Sequence, residues 1–254
     1  MILKQEYDRY TADDLAVWQT LFDRQHALIG QKICREYREA LALVEFKGSE
    51  IPRMDRINAI LKETTGWQAV VVPGILPDKE FFELMAQRRF PATTWLRRPD
   101  QLDYLEEPDM FHDVFGHIPL LTQTHYTGFL EGLGRIALRW IDDPDMVERI
   151  TRLYWYTIEF GLIREEGEAR IFGAGIVSSV GESRYCLQAG PPPHLRDFNL
   201  DTILDAAFRK DIFQEQYFIA EGYDQLLASL EPLEHRLEQF QRKKKNPPAL
   251  SGGF

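Results

Sequence analysis

The chain has 254 residues, with 40 acidic side chains against 30 basic ones and a formal net charge of −10. At 44% hydrophobic and 28% charged it has the composition of an ordinary globular protein, long enough to bury a sizeable core, and this excludes the disordered and fibrous classes. The acidic balance argues against nucleic acid or an anionic membrane as the main partner, because both repel such a chain on average, and no apolar run approaches the ~18–20 residues of a membrane span. The opening MILKQEYDRY is charged within four residues and lacks an apolar signal core. Cys34 and Cys186 are too few for a disulfide scaffold and have no CxxC spacing. These features place the chain in a reducing cytoplasm.

Thr11, with Asp14 three residues on, has the spacing of a capping box, and Leu15, Trp18, Leu21 and Phe22 follow at helical intervals. One helix, or a pair, is therefore expected to run toward Glu45. A second helical segment spans roughly 53–64 and ends at Gly66. AVVVPGILP then reads as a short strand closed by a turn. Helical patterns return over 78–89, 111–115, 126–141 and 144–162. Residues 168–188, EARIFGAGIVSSVGESRYCLQ, carry the only other β signal. A last helix is expected over 226–242, and residues 241–254, rich in charge, Pro and Gly, form an expected disordered tail. Without repeats or a change of composition, residues 1–240 read as a single, mainly α domain with a few short strands.

The chemistry concentrates in three places. EEPDMFHDVFGHIPLL brings His112 and His117 together with Asp109 and Asp113, and two of the six histidines lie within six residues. Neutral imidazoles are common ligands of divalent transition metals. On an undistorted helix a spacing of five sets the rings ~140° apart, but Gly116 and Pro119 predict that the helix ends or deforms there. Taken alone, the pair fits metal ligands and two surface histidines equally well. In RITRLYWYTIEFGLI, Glu159 is the only acid in an apolar, aromatic stretch, where an unpaired carboxylate is costly. Its partner is either an arginine, Arg152 or Arg164, or a metal. Two His and one carboxylate make the facial triad of non-haem Fe(II) oxygenases, and the same donors suit catalytic zinc. Two further features concern a substrate. Arg97 has the chemistry to clamp a carboxylate, although spacing alone favours a surface pair with Asp100 or Glu106. GAGIVSSVGE, residues 173–182, permits close backbone approach but is not GxGxxG, and it reads as a tight β-bend.

PDMFHDVFGHIPLL, LYWYTIEFGLI and FGAGIVSSVGESRYCL, in this order and spacing, resemble the catalytic domain of the pterin-dependent aromatic amino acid hydroxylases. Within that family the short bacterial phenylalanine hydroxylases are the nearest in pattern. The resemblance extends through YTADDLAVWQTLFDRQ, TGWQAVVVPGILP and RRFPATTWLR, and covers roughly residues 7–230. It implies a helical basket with Fe(II) at its floor, held by His112, His117 and Glu159. It further implies that Arg97 binds the amino-acid carboxylate, with Ser178 supporting that end of the substrate. Trp155, Phe160 and Gly175 are implied to line the aromatic ring pocket. Gly74, Leu76 and Phe81 fall on the pterin loop, Phe81 as a stacking ring, with Asp113 and Tyr154 beside the cofactor.

The implied reaction is hydroxylation of L-phenylalanine to L-tyrosine with O2 and a tetrahydropterin, tetrahydrobiopterin or a relative. Tyrosine or tryptophan as substrate, or another ring position, stays open at this point. More distant readings are a zinc hydrolase with Asp113 as base and a non-catalytic, metal-stabilised helical protein. The pattern leaves no room for the regulatory N-terminal domain or the C-terminal heptad helix of animal members, so a monomer or weak dimer is expected.

Overall fold

The computed structural model describes residues 3–103, 107–188 and 193–245. The capping box forms as expected: Thr11 Oγ1 accepts the Asp14 N–H at 3.2 Å and the Asp14 carboxylate accepts the Thr11 N–H at 2.8 Å. Helix α1 (Ala12–Ile29) grows from it and buries Val17, Trp18, Leu21, Gln25 and Ile29. Helices α2 (Arg35–Val44) and α3 (Met54–Thr64) lead to strand β1 (Gln68–Val71), helix α4 (Asp78–Ala86) and strand β2 (Arg89–Ala92). β1 and β2 run parallel, with Gln68 opposite Arg89 and Val71 opposite Ala92, so α4 is their crossover.

The chain next makes a π-helical turn, Phe111–His117, and a 3₁₀ turn, Pro119–Thr122. Helices α5 (Thr124–Arg139) and α6 (Pro144–Tyr154) follow, then a second π-helical turn, Trp155–Glu159. Strands β3 (Leu162–Glu165) and β4 (Glu168–Ile171) form an antiparallel hairpin. Helices α7 (Ala174–Val177) and α8 (Val180–Tyr185), β5 (His194–Asp197), α9 (Leu200–Asp205), β6 (Gln216–Ala220), α10 (Tyr223–Ala228) and α11 (Leu230–Lys245) complete the order. The second sheet is ordered β4-β3-β6-β5, with β6 parallel to both its neighbours.

The architecture is mainly helical with short strands, as read from the sequence, but several elements differ. GAGIVSSVGE is not a β-bend: it folds into α7 and α8, with Ser179 Oγ capping α8 by accepting the Glu182 N–H at 3.2 Å. The helix expected over 144–162 gives way at Tyr154 to the π turn and then β3. The helix expected from 226 divides at Ser229 and continues through Lys245, past the expected start of the tail at 241. Two forces hold this last turn. The run Arg242–Lys245 lies at the negative end of the helix dipole, and Lys244 pairs with Asp143 and Asp145 at 3.1 and 2.7 Å. Residues 246–254 of the expected tail lie outside the described residues.

A continuous apolar core surrounds the two π turns. Phe111 and Phe115 stack at 4.8 Å on the inner face of the first, where Trp18 meets Phe111 edge-on at 5.4 Å and Phe22 meets Phe115 at 5.7 Å. Such aromatic pairs contribute about 0.5–1.5 kcal/mol each beyond their buried area. They clamp α1 against this turn and fix the direction in which its polar side chains project. No helix among the described residues is long and apolar enough to cross a membrane.

Candidate metal centre

Asp109 begins the site. It is 0% exposed, and its carboxylate accepts the Arg97 N–H at 3.0 Å and, three residues on, the His112 N–H at 3.2 Å. Sequence reasoning gave Asp109 no role, although an Asp three residues before the first histidine has N-cap spacing and was the available signal. The chain then widens into the π turn. Hydrogen bonds from i to i+5 bring residues five apart nearly over one another, so the spacing of His112 and His117, poor on an α-helix, becomes favourable here. A Cβ on Gly116 would lie 3.0 Å from the Ala174 carbonyl oxygen and 3.1 Å from its Cβ, so glycine is what lets α7 approach this turn.

His112, His117 and Glu159 converge on one point. The two Nε2 atoms are 3.2 Å apart, and the Glu159 oxygens lie 3.2 Å from His117 Nε2 and 3.5 Å from His112 Nε2. Bonds of about 2.0–2.2 Å from a single divalent transition metal place neighbouring ligand atoms about 3.0–3.5 Å apart. Neither Arg152 nor Arg164 occupies Glu159. Arg152 binds Glu148 and the Leu204 carbonyl, and Arg164 binds Asp197 and Glu221.

The proton inventory fits a metal as well. Ser178 Oγ donates to the Ala174 carbonyl at 2.8 Å, so its lone pair faces His112 Nδ1 at 2.9 Å and accepts that proton. His112 Nε2 is thereby left with a lone pair directed at the cluster. Burial lowers the His112 pKa, which disfavours the charged ring. Burial works in the opposite sense on Glu159, but His117, His112 and the Tyr154 hydroxyl outweigh it and hold this carboxylate down at about 2. Two imidazoles and one carboxylate are the donor set of a divalent iron or zinc centre. His117 Nδ1 is buried without a partner, and its ring lies 4.7 Å from Phe90.

Around this centre the structure gathers the other expected residues into two walls. On one side Phe81 meets Tyr154 edge-on at 5.3 Å, and Tyr154 stands immediately before the π turn that carries Glu159. Gly74 and Leu76, both half-buried, lie on the loop between β1 and α4. Asp113 Oδ2 accepts the Thr93 N–H at 2.7 Å and its hydroxyl at 2.8 Å, and burial raises the carboxyl pKa. On the other side Trp155 and Phe160 pack at 4.6 Å, and a Cβ on Gly175 would come within 2.8 Å of Phe160 Cζ.

Two residues have contacts other than those expected. Ser178 lies against His112 Nδ1 at 2.9 Å, a contact beyond the substrate-end role that the resemblance implies. Arg97 is 9% exposed and no surface residue: its Nε and Nη2 make 2.8 Å bonds to the two Asp109 oxygens. Asp100 pairs with Arg98, and Glu106 lies outside the described residues. Spacing favours near neighbours for Arg97, whereas the structure pairs it with a carboxylate that is buried as it is.

With this geometry in place, comparison with known proteins is direct. A family model described as biopterin-dependent aromatic amino acid hydroxylase matches residues 6–249. The phenylalanine-4-hydroxylase of Ralstonia nicotianae is 45% identical over 230 residues, which are 91% of this chain and 73% of that protein. That of Chromobacterium violaceum is 44% identical over 230 residues, 91% of this chain and 77% of its own. A crystal structure of the Chromobacterium violaceum phenylalanine hydroxylase, with bound iron(III) and oxidised 7,8-dihydrobiopterin, superposes with a TM-score of 0.88 at 44% identity. The superposition covers 94% of this chain and 86% of that one.

Proposed function

The chain belongs to the biopterin-dependent aromatic amino acid hydroxylases, and from that premise we propose that it hydroxylates L-phenylalanine to L-tyrosine with O2 and a tetrahydropterin at a mononuclear Fe(II). The observation that carries the reading is the convergence of His112, His117 and Glu159 between two aromatic walls, Phe81 with Tyr154 and Trp155 with Phe160. Three donors on one side of a metal leave its remaining positions open to the reactants. A hydrolytic reading with Asp113 as base has no support: Oδ2 of that carboxylate is engaged by Thr93, and the family is one of hydroxylases.

When bound, the iron and the tetrahydropterin supply oxygen activation and electrons, and one oxygen atom enters the substrate ring. The chain's own residues bind and orient. Glu159 stays ionised at neutral pH, and Ser178 fixes the His112 tautomer, so the ligand set needs no rearrangement to hold a divalent ion. Phe81 offers an aromatic face to the pterin beside Tyr154, with Gly74, Leu76 and Asp113 completing that site. Trp155, Phe160 and Gly175 shape an apolar slot for the substrate ring. Arg97 holds the substrate carboxylate at the far end, which converts a diffusive encounter into a fixed orientation. The free, buried Cys34 and Cys186 suit a reducing compartment, and we place the enzyme in the cytoplasm as a monomer or weak dimer.

The test is product analysis with phenylalanine, tyrosine and tryptophan in turn, each with tetrahydropterin and Fe(II). Tyrosine formed from phenylalanine at the highest kcat/KM is the expected result, and a higher value for either other amino acid overturns the substrate assignment. His112→Ala, His117→Ala and Glu159→Ala should each lose most bound iron and turnover while staying folded. Wild-type iron content and activity in any one of them would remove that residue from the ligand set.

A further inference from the structure

The segment that joins α9 to β6 closes over the outer edge of Trp155. Phe208 stacks on the indole at 4.5 Å and 23°, opposite Phe160 at 4.6 Å and 38°. Stacking of this kind resists tilting of a ring but opposes its rotation within the plane only weakly. The in-plane position is set by one polar contact. Trp155 Nε1–H donates to Gln214 Oε1 at 2.9 Å. We propose that Gln214 is a positioning residue for the aromatic ring pocket, acting through the indole N–H of Trp155 to hold one wall of the slot that receives the substrate ring. The inference rests on the reading of function given above, in which Trp155 lines that slot.

Gln214 is built for this task. It is 4% exposed, and both ends of its amide are determined by chemistry. The indole is a donor only, so it must face the amide oxygen. Nε2 donates to the Arg209 carbonyl at 2.8 Å and points at the Ile212 carbonyl at 3.4 Å, two groups that can only accept. The backbone is fixed too: the Gln214 N–H donates to Glu182 Oε1 at 3.1 Å, and the other oxygen of that buried carboxyl takes the Tyr217 hydroxyl. The tether on Trp155 thus runs from the ring pocket through Gln214 to Glu182 on α8 and Tyr217 on β6, both outside the metal centre. A hydrogen bond of this kind has a net worth equivalent to a factor of roughly two to ten in an equilibrium constant.

Gln214→Met keeps length and packing and removes the acceptor; Gln214→Leu serves as a second variant. Either should raise KM for phenylalanine roughly three- to tenfold, with iron content and KM for tetrahydropterin unchanged. In a Trp155→Phe background, which lacks the donor, Gln214→Met should add no further change. The independent readout is the Trp155 indole N–H resonance of protein loaded with diamagnetic Zn(II), identified by its loss in Trp155→Phe. In Gln214→Met it should move upfield and exchange faster with solvent. An unmoved resonance, equal losses for phenylalanine and pterin, or a full additive loss in the double variant each overturn the proposal. If the wild-type protein forms no hydroxylated product from phenylalanine, the functional reading falls and takes the ring-pocket role with it. The resonance still reports separately whether Gln214 holds the indole.

Discussion

Arg97 presents its guanidinium in two directions. Asp109 closes the Nε–Nη2 edge and Nη1 lies 3.5 Å from the Leu102 carbonyl, so a substrate carboxylate would be gripped by the remaining Nη1 and Nη2 protons. Charge-assisted bonds contribute on the order of 1.5–3 kcal/mol, so Arg97→Ala should lower kcat/KM for phenylalanine roughly ten- to a few-hundred-fold. The structure adds a second effect. Removing Arg97 strands Asp109, a fully buried charge that also caps the turn carrying His112, at a cost of about 3–5 kcal/mol in stability and some iron affinity. Arg97→Lys separates the two, because an ammonium still neutralises Asp109 but cannot make the planar fork. It should discriminate less strongly than wild type between phenylalanine and phenethylamine, which has no carboxylate. Equal losses toward both compounds would make Arg97 purely structural. At this scale the cluster of His112, His117 and Glu159 is legible in the sequence, since an acid in an apolar run or paired histidines announce themselves. Thr93 and Gln214 offer no such signal, because their partners lie 20 and 59 residues away along the chain and no periodicity links them.

The elements divide in the same way. Helices α1 and α3 were readable from a cap and a 3.6-residue pattern, whereas the π turns were not, because an i to i+5 turn breaks the very period used to find helices. Strand β6, buried along Tyr217–Ala220, gives no alternation, and the exposed β5 gives no apolar signal at all. The π turns that sequence patterns miss are the elements that carry His112, His117 and Glu159, one on each side of the α5–α6 pair. A metal therefore ties the start of that pair to its end, and binding free energy becomes folding free energy. At a free Fe(II) concentration a hundredfold above Kd the gain is about 2.7 kcal/mol, or roughly 5–10 °C in Tm for a chain of this size. Chelation followed by a thermal melt should show that drop, and re-addition of Fe(II) should reverse it. An unchanged Tm would mean that the three side chains hold no metal.

On the scale of the whole molecule, Glu182 sets part of the pH dependence of stability. Burial pushes its carboxyl up to about 7, an effect that the Tyr217 hydroxyl and the Gln214 N–H offset only in part. The unfolded chain releases this proton near pH 4.5 and the folded one near 7. Between those values the native state binds more protons, so stability must fall as pH rises through this window and level off above it. At 1.36 kcal/mol per unit the total is roughly 3 kcal/mol. Glu182→Gln should remove that slope, and chemical denaturation of wild type and variant at pH 5, 6, 7 and 8 measures it. Parallel profiles would show that the carboxyl ionises alike in both states.

The carboxylates near the metal centre have a consequence in terms of electroneutrality. Asp109 is compensated by Arg97, but Glu159 and Asp113 have no arginine or lysine partner among the described residues. Glu159 is held ionised in a region largely closed to water, and a cation held by His112, His117 and Glu159 would supply the compensating charge that no basic side chain gives it. A trivalent ion there would leave one more positive charge uncompensated than a divalent one, and charge imbalance is expensive where the effective dielectric is low. Such an arrangement of fixed charges would favour a divalent ion over a trivalent one, so the protein's own carboxylate would bias the oxidation state of an iron held at His112, His117 and Glu159.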